Sequence, residues 1–205
     1  QILWLYTTNQ NFTAVYCANC QTIAHGTNQL NVTEQCGCEC TLTCDTGYHV
    51  DASTHTCEPN VYPDGEGITY QPNGGTPNIS YTQTVTYDAT FETKDAVYTK
   101  YRNVLDWWHV VSGGEGTFEN GRAELSQSYV YRTDGSTTLE AHWTECAPGW
   151  IPLDNVCHEC EENTYQNGDE CKPCGAGYTS AAGSTECEPV KSNAKYACNC
   201  PGNIS

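Results

Sequence analysis

The sequence predicts a mainly β fold in which a small cysteine-free β module lies between two disulfide-rich, loop-dominated arms. All 15 cysteines fall outside residues 58–145, so the two ends, 1–57 and 146–205, carry every one of them. The cysteine-free stretch is rich in Tyr, Thr, Val and Trp, the residues that suit a pleated, half-buried strand. Clustered cysteines in a chain of 205 residues also favour several small modules over one large core. We therefore expect three domains, with boundaries at 1–57, 58–145 and 146–205.

Composition and charge narrow the range of functions. The formal net charge is -17, from 8 basic and 25 acidic residues. Such an acidic chain is repelled by nucleic acid and by anionic membrane surfaces, so we expect neither as a partner. The sequence contains no run of 18 apolar residues, the length that a transmembrane helix needs, so we expect no membrane insertion.

Cysteine usage indicates the compartment. Cysteines at short, regular spacings mean disulfides in an oxidising space or metal clusters in a reducing one. The loops between these cysteines are rich in Gly, Tyr, Thr, Ser and Asn and poor in basic residues, which favours disulfides and a secreted or cell-surface protein. We expect no zinc and no cofactor. The alternative is a tetrahedral zinc site in the first arm, with ligands drawn from Cys17, Cys20, Cys36, Cys38 and Cys40, and His25 as a spare.

A short phrase recurs around the remaining cysteines. An opening cysteine is followed by Gly-Tyr, Gly-Trp or Thr-Tyr, then by a polar loop and a closing cysteine. Each unit is too short to bury a core, so a crosslink must replace the core. The phrase predicts that each loop closes on itself, through the pairs Cys44–Cys57, Cys146–Cys157, Cys160–Cys171 and Cys174–Cys187. A crossed pattern, such as Cys146–Cys160 with Cys157–Cys171, stays open because spacing alone does not decide pairing.

If the pairing is sequential, the second arm is a string of small loops in which each loop contacts only its neighbours, and so an extended spacer.

The phrase Cys174-Gly-Ala-Gly-Tyr-Thr-Ser-Ala-Ala-Gly-Ser-Thr-Glu-Cys187 resembles the ephrin-receptor-like and tumour-necrosis-factor-receptor-like cysteine-rich repeats. The resemblance covers 146–187 well, 44–57 fairly and 17–40 poorly. It implies non-catalytic rods of the kind found in receptors and in long bacterial surface proteins.

The cysteine-free module carries a second resemblance. It opens with Ile68-Thr69-Tyr70 ahead of Asn73-Gly74-Gly75, and it closes with Thr137-Thr138-Leu139-Glu140-Ala141-His142-Trp143-Thr144. Over residues 67–144 this pattern resembles the Listeria–Bacteroides repeat, the internalin-type B repeat of bacterial surface proteins. The resemblance implies a small β-grasp-like module on a stalk or an adhesive surface protein.

Periodicity predicts the local structure of this module. Asn73-Gly74-Gly75 supplies positive φ for a hairpin turn, and residues 81–87 alternate as one strand. Asp134-Gly135 predicts a second turn, which leads residues 129–131 into a strand over 138–143. The expected core consists of aromatic and aliphatic side chains, with Trp143 buried on the same strand face as Leu139 and Ala141; its other members are Tyr87, Phe91, Leu105 and one of Trp107 and Trp108.

Catalytic signatures are missing from the sequence. His158 is adjacent to Cys157, but no residue pairs with it in the manner of a nucleophile and its base, and no nucleophile-elbow, zinc-protease or phosphate-binding motif occurs. Residues 167–171 match the start of a calcium-binding module, but a plain turn is the stronger interpretation. We expect a non-catalytic structural or adhesive segment of an acidic, modular extracellular protein, with protein or glycan surfaces and neighbouring modules of the same chain as partners. A receptor-like ectodomain that binds a protein ligand is the alternative, and a secreted enzyme or inhibitor is the third class.

Overall fold

A computed structural model describes residues 2–8, 11–17, 19–33 and 37–191. Within these ranges the chain forms strands, turns and no helix, which confirms the predicted mainly β class. The strands in chain order are β1 (Ile2–Thr8), β2 (Asn11–Cys17), β3 (Gly26–Thr33), β4 (Gly37–Cys44), β5 (Tyr48–Asp51), β6 (Thr56–Pro59), β7 (Val61–Tyr62), β8 (Ile68–Gln71), β9 (Tyr81–Gln83), β10 (Val85–Thr86), β11 (Thr90–Glu92), β12 (Asn103–Ser112), β13 (Arg122–Ala123), β14 (Ser128–Val130), β15 (Thr137–Glu145), β16 (Trp150–Leu153), β17 (Val156–Glu159), β18 (Thr164–Asn167), β19 (Glu170–Pro173), β20 (Tyr178–Thr179) and β21 (Glu188–Pro189).

The largest sheet has five strands in the order β13-β12-β15-β8-β9. β8 pairs with β9 in antiparallel fashion and with β15 in parallel fashion. The first and last strands of this sheet in sequence are therefore adjacent and parallel near its middle, which is the arrangement of a β-grasp sheet. Where a β-grasp fold carries a helix, the described chain between β9 and β12 has short strands and turns. The other sheets in the described ranges are two-stranded.

The core of the large sheet is built from aromatic side chains. Trp108 is fully buried, its Nε1–H donates to the carbonyl oxygen of Lys94 at 2.8 Å, and its ring meets those of Tyr70 and Tyr98 edge-on. The polar atoms of these large rings have partners, as buried polar groups require. The largest fully buried side chains of the described chain are those of Trp108, Tyr70, Tyr98, Tyr131, Ile68, Leu105, Leu139 and Thr137, together with Cys146 and Cys160 of the second arm.

The predicted core is correct in part. Leu105 and Trp108 are buried as expected, whereas Tyr87 and Phe91 are half-buried. The prediction that Trp143 is buried is wrong, because this side chain is only half-buried. β15 pairs with β8 only from Thr137 to Glu140, so the chain beyond that point has no β8 neighbour on that side.

Two of the predicted turns differ from the structure in their connections. Asn73 and Gly74 have φ of 45° and 79°, and the N–H of Gly75 donates to the carbonyl oxygen of Pro72 at 2.9 Å, so the tight turn forms. It lies, however, inside a nine-residue connection between β8 and β9. The predicted strand over 81–87 is interrupted at Thr84, where it leaves the large sheet, and β10 then pairs with β7. The turn at 134–135 does not join a hairpin, because β14 pairs with β11 and β15 pairs with β8.

The chain forms two compact units. The first contains residues 1–98 and 106–142, and the second contains residues 99–105 and 143–205. The boundaries of these units differ from those of the three predicted domains. The boundaries of the three domains remain a prediction. A short stretch of the central module, 99–105, thus belongs to the same unit as the second arm. No helix of the described chain has the length and apolar character needed to cross a membrane.

Candidate functional site: the disulfide-closed repeats

Four disulfides close the loops that share the recurring cysteine phrase. They join Cys44–Cys57, Cys146–Cys157, Cys160–Cys171 and Cys174–Cys187, the four pairs that the recurring phrase predicts, with Cα–Cα distances of 5.5–5.8 Å. We call these loops repeats 1, 2, 3 and 4 in chain order. A further disulfide joins Cys20 to Cys40, a pair that the sequence left undetermined. Several disulfides in a chain this small are typical of proteins from oxidising, extracellular environments.

All four repeats begin with the same turn. The third residue after the opening cysteine has a positive φ of 64° to 84°, and the N–H of the fourth residue donates to the carbonyl oxygen of the first at 3.0–3.1 Å. Such a turn requires a residue that tolerates positive φ at its third position. The four residues in that position are Gly47, Gly149, Asn163 and Gly177.

A second hydrogen bond ties the end of each repeat to this turn. The third residue after the closing cysteine donates its N–H to the carbonyl oxygen of the positive-φ residue, at 2.8–2.9 Å in every repeat. The donors are Asn60, Cys160, Cys174 and Val190. In repeats 2 and 3 the donor is itself the opening cysteine of the next repeat. The Cys-x-x-Cys joint therefore fixes how one repeat follows the next, a role that the spacing alone did not reveal.

Between turn and closure, each repeat is a hairpin. The residue after the positive-φ position pairs with the second residue after the closing cysteine in all four cases, as in Tyr48 with Pro59 and Trp150 with Glu159. In repeats 2 and 3 the two cysteines are 11 positions apart in sequence and the hairpin turns are tight, whereas in repeats 1 and 4 the cysteines are 13 positions apart. The sequence signal for this turn is a Gly at the third position after the opening cysteine. In repeat 3 that position is occupied by Asn163, so the signal is absent there.

The second arm is more closely packed than a string of loops. The longer loop of repeat 4 folds back so that the N–H of Gly183 donates to the carbonyl oxygen of Cys160 at 2.8 Å. Gly183 also approaches Gly149 of repeat 2 so closely that a Cβ on Gly149 would collide with the Gly183 carbonyl group. Repeats 2 and 4 are therefore in contact, and the expectation that only neighbouring repeats touch is wrong. The cause is the extra length of the repeat 4 loop, which lets it cross repeat 3.

Residues 99–105 are held by the arm through side-chain amide and carboxylate groups. Asn155, at the tip of the repeat 2 hairpin, accepts the N–H of Leu105 at 2.6 Å and donates to the Leu105 carbonyl oxygen at 2.7 Å, as a neighbouring strand would. Asp169, at the tip of the repeat 3 hairpin, accepts the backbone N–H of Arg102 at 2.7 Å. Residues 167–171 thus form a hairpin turn, as the preferred interpretation held, and the Asp169 carboxylate contacts protein.

Repeat 1 belongs to the first unit, where its Tyr48 side chain makes one stacking contact and one hydrogen bond. The Tyr48 ring stacks on His25, with centroids 4.3 Å apart, and its hydroxyl donates to the Asp88 carboxylate at 2.7 Å. This hydrogen bond raises the pKa of Tyr48 to about 12, because the neutral phenol is the donor and the nearby carboxylate disfavours a phenolate. Asp88 also forms an ion pair with Arg132 at 3.2 Å.

The zinc alternative for the first arm loses two of its ligands. Cys20 and Cys40 are joined to each other, and a disulfide sulfur is not a thiolate ligand. Cys36 and the side chains of Cys17 and Cys38 lie outside the described residues, as do Cys198 and Cys200. Within the described chain, no three His, Cys, Asp or Glu side chains converge as metal ligands. The expectation that the protein holds no zinc stays a prediction for elemental analysis.

An aromatic cluster on the large sheet is a candidate for recognition. His142 stacks on the Trp107 ring at a centroid distance of 4.2 Å, and the Arg122 guanidinium lies over the same ring at 4.9 Å. Arg122 is also paired with the Glu124 carboxylate, which lowers the pKa of Glu124 by hydrogen bonding. The Trp107 side chain is half-buried, and His142 and Arg122 contact part of its ring. In the second arm, His158 is exposed on β17.

Comparison of the chain with family models, with curated proteins and with solved structures finds no match. The two resemblances described above therefore stay predictions from the residues that carry them. The site that the geometry defines most clearly is the set of four disulfide-closed repeats, with one turn, one hairpin and one closing hydrogen bond in common. Its chemistry is structural, because the repeated elements are crosslinks and backbone hydrogen bonds.

Proposed function

We propose that this chain is a non-catalytic segment of an extracellular modular surface protein, in which it acts as a stalk that presents neighbouring modules or adhesive surfaces. The observation that carries the proposal is the fourfold repetition of one crosslinked hairpin, each closed by its own disulfide. Such units are stable without a large core, because the crosslink limits the freedom of the unfolded chain; a loop of this size contributes about 3 kcal/mol. They hold their geometry outside the cell, where disulfides persist.

The joints between repeats also favour a spacer. Cys160 and Cys174 each end one repeat by donating a backbone hydrogen bond, and each opens the next by forming its disulfide. One residue therefore fixes both sides of a joint, and the orientation of successive hairpins does not depend on a flexible linker. A protein that holds a binding surface away from a cell needs this property. The partners in this proposal are protein or glycan surfaces and neighbouring modules of the same polypeptide.

The acidic surface agrees with this role. A net charge of -17 keeps a surface protein soluble and limits its adhesion to anionic cell envelopes and nucleic acid. The proposal places the protein at the cell surface rather than free in the medium. A receptor-like ectodomain is the second candidate, favoured by the likeness of residues 174–187 to receptor cysteine-rich repeats.

Surface labelling tests the proposal. Antibodies raised against the folded chain should label intact cells of the source organism, and protease treatment of those cells should release peptides from this chain. A thiol-reactive polymer should modify the ten cysteines of the five described disulfides only after reduction. Labelling that requires permeabilised cells, or reaction of these ten cysteines without a reductant, would overturn the proposal. Recovery of the protein mainly from the medium would exclude the cell-surface part, and a parent gene with a membrane helix and a signalling domain would favour the receptor.

A further inference from the structure

The two middle strands of the large sheet are joined in a geometry that resists tension. β8 and β15 are parallel, with Ile68 opposite Thr137 at one end and Gln71 opposite Glu140 at the other. The chain enters β8 at Ile68 from the side of Cys57 and leaves β15 toward Cys146. The two ends of the module are therefore attached to opposite ends of one parallel strand pair.

This attachment determines how a pulling force acts on the pair. A force that separates the Cys57 side from the Cys146 side draws β8 and β15 in opposite directions along their common axis. The hydrogen bonds of a parallel ladder are spaced along that axis, so all four register pairs carry the load together and must fail together. If the same ladder were pulled from matching ends, it would open one pair at a time, each pair bearing the whole force.

The surroundings of the pair protect it from water. β8 lies between β15 and β9, and β15 lies between β8 and β12, so neither strand is an edge of the sheet. Ile68, Tyr70 and Leu139 are fully buried, and burial removes the water molecules that would replace a stretched hydrogen bond. Two further bonds extend the ladder at its ends: the N–H of Thr137 donates to the Gly67 carbonyl oxygen at 2.9 Å, and the Asn73 side chain donates to the Ala141 carbonyl oxygen at 3.0 Å.

The disulfides limit the extension of the chain that follows the pair. A force through repeats 2 to 4 passes across the three bridges and the two Cys-x-x-Cys joints, and the loops carry none of it. This path is about 40 Å long when stretched, whereas the same residues without disulfides reach about 150 Å at full extension. Tension is therefore transmitted through the second arm with little lengthening.

We infer that the module between the two arms is a mechanical clamp, which carries tension between a cell-attached end and a ligand-attached end of the protein. The inference rests on the proposed surface function and adds to it that the stalk works under load. It assigns the load to the β8–β15 ladder, and it assigns to the disulfides the role of keeping the arm short.

Single-molecule pulling with two handle positions tests the inference on the full chain. One handle replaces Thr144, at the end of β15, with a residue bearing a clickable group. The other replaces either Glu66, ahead of β8, or Asn78, after it; both side chains are exposed. Pulling from Glu66 shears the ladder, and pulling from Asn78 peels the same ladder. The rupture force at one loading rate should be about three- to fourfold higher in shear, since four register pairs share the load.

The released length identifies the event. Rupture should free about 280 Å of chain for the Glu66 handle and about 240 Å for the Asn78 handle, less the initial distance between handles. Thermal melting of both variants, matched to the unmodified chain, establishes that the handles leave the fold intact. Equal rupture forces in the two geometries would overturn the clamp while leaving the surface location untouched.

The role of the disulfides is tested with handles placed outside Cys146 and Cys187. Reduction should then lengthen the arm by about 110 Å, and an unchanged length would refute the role given to the disulfides.

Discussion

Replacing Trp108 with alanine tests the core of the cysteine-free module. The Trp108 side chain is completely buried, its indole N–H donates to the Lys94 carbonyl oxygen, and its ring packs edge-on against Tyr70 at a centroid distance of 4.8 Å. Truncation to alanine removes the ring, leaves a cavity and deprives the Lys94 carbonyl group of its donor. All three effects destabilise the folded state.

The magnitude follows from comparable changes in other cores. Replacement of a buried tryptophan by alanine costs about 3–5 kcal/mol of unfolding free energy, and small domains have about 5–15 kcal/mol in total. For a module of this size, each kcal/mol lowers the melting temperature by about 4–8 °C. We therefore expect Trp108→Ala to lower the melting temperature of the module by at least about 12 °C, or to leave the module unfolded at room temperature. The disulfide repeats of the second arm should stay closed.

Trp143→Ala is the matched control, because it removes the same side chain from a half-buried position. Its ring lies under the Lys100 ammonium group at 5.5 Å, and partial burial makes the expected loss about 1–2 kcal/mol. Far-ultraviolet circular dichroism as a function of temperature and of guanidinium concentration measures both variants. The description of the core is refuted if Trp108→Ala melts with the unmodified chain, or if the two substitutions cost the same.

The remaining predictions concern the repeats, the contact at residue 155 and the pH dependence. Gly149→Val should lower the refolding yield and scramble the disulfides of the second arm, because φ is +83° there and a Cβ has no space; Asn163→Gly, which keeps the turn, should refold normally, and non-reducing peptide mapping distinguishes the two. Asn155→Gly keeps a positive φ but removes the amide, so it should cost about 1–3 kcal/mol in denaturant titrations; no measurable cost would rule out the amide as a strand substitute. The pKa of Tyr48 is raised to about 12, above the unfolded value of about 10, so its hydrogen bond to Asp88 contributes stability that is fully present below about pH 10 and is lost as the pH rises toward 12. Tyrosinate absorbance should show this late titration, and Asp88→Asn should move it to lower pH; an unchanged titration curve would contradict the role of the carboxylate.

Much of the second arm was predictable because its determinants are local. Each repeat closes a loop whose cysteines are 11 or 13 residues apart, so the pairing of Cys146 with Cys157 depends on neighbours within one hairpin. The Asp154-Asn155 turn is likewise local, since both residues take positive φ at the hairpin tip. What the repeated phrase did not disclose is the partner of the turn carbonyl group, because backbone hydrogen bonds leave no mark on side-chain identity.

The central module was less predictable because its contacts are distant in sequence. Alternation placed Leu139, Ala141 and Trp143 on one face of a strand, and the first two are buried. Burial of the third depended on how far β8 runs alongside β15, and no local pattern contains that length. The choice between Trp107 and Trp108 was open for a related reason, since the two adjacent residues point to different surroundings and only the packed sheet distinguishes them.

The sequence by itself determined the mainly β class, the crosslinked loops and the positive-φ turns, because strand propensity, cysteine spacing and glycine position act over a few residues. Only the tertiary structure decided the parallel pairing of β8 with β15, the contact of Gly183 with Gly149, and the capture of Leu105 by Asn155. Each of these joins residues more than 30 positions apart. Their selection depends on which buried surfaces and hydrogen bonds compensate for closing a long loop, and that balance is a property of the whole folded chain.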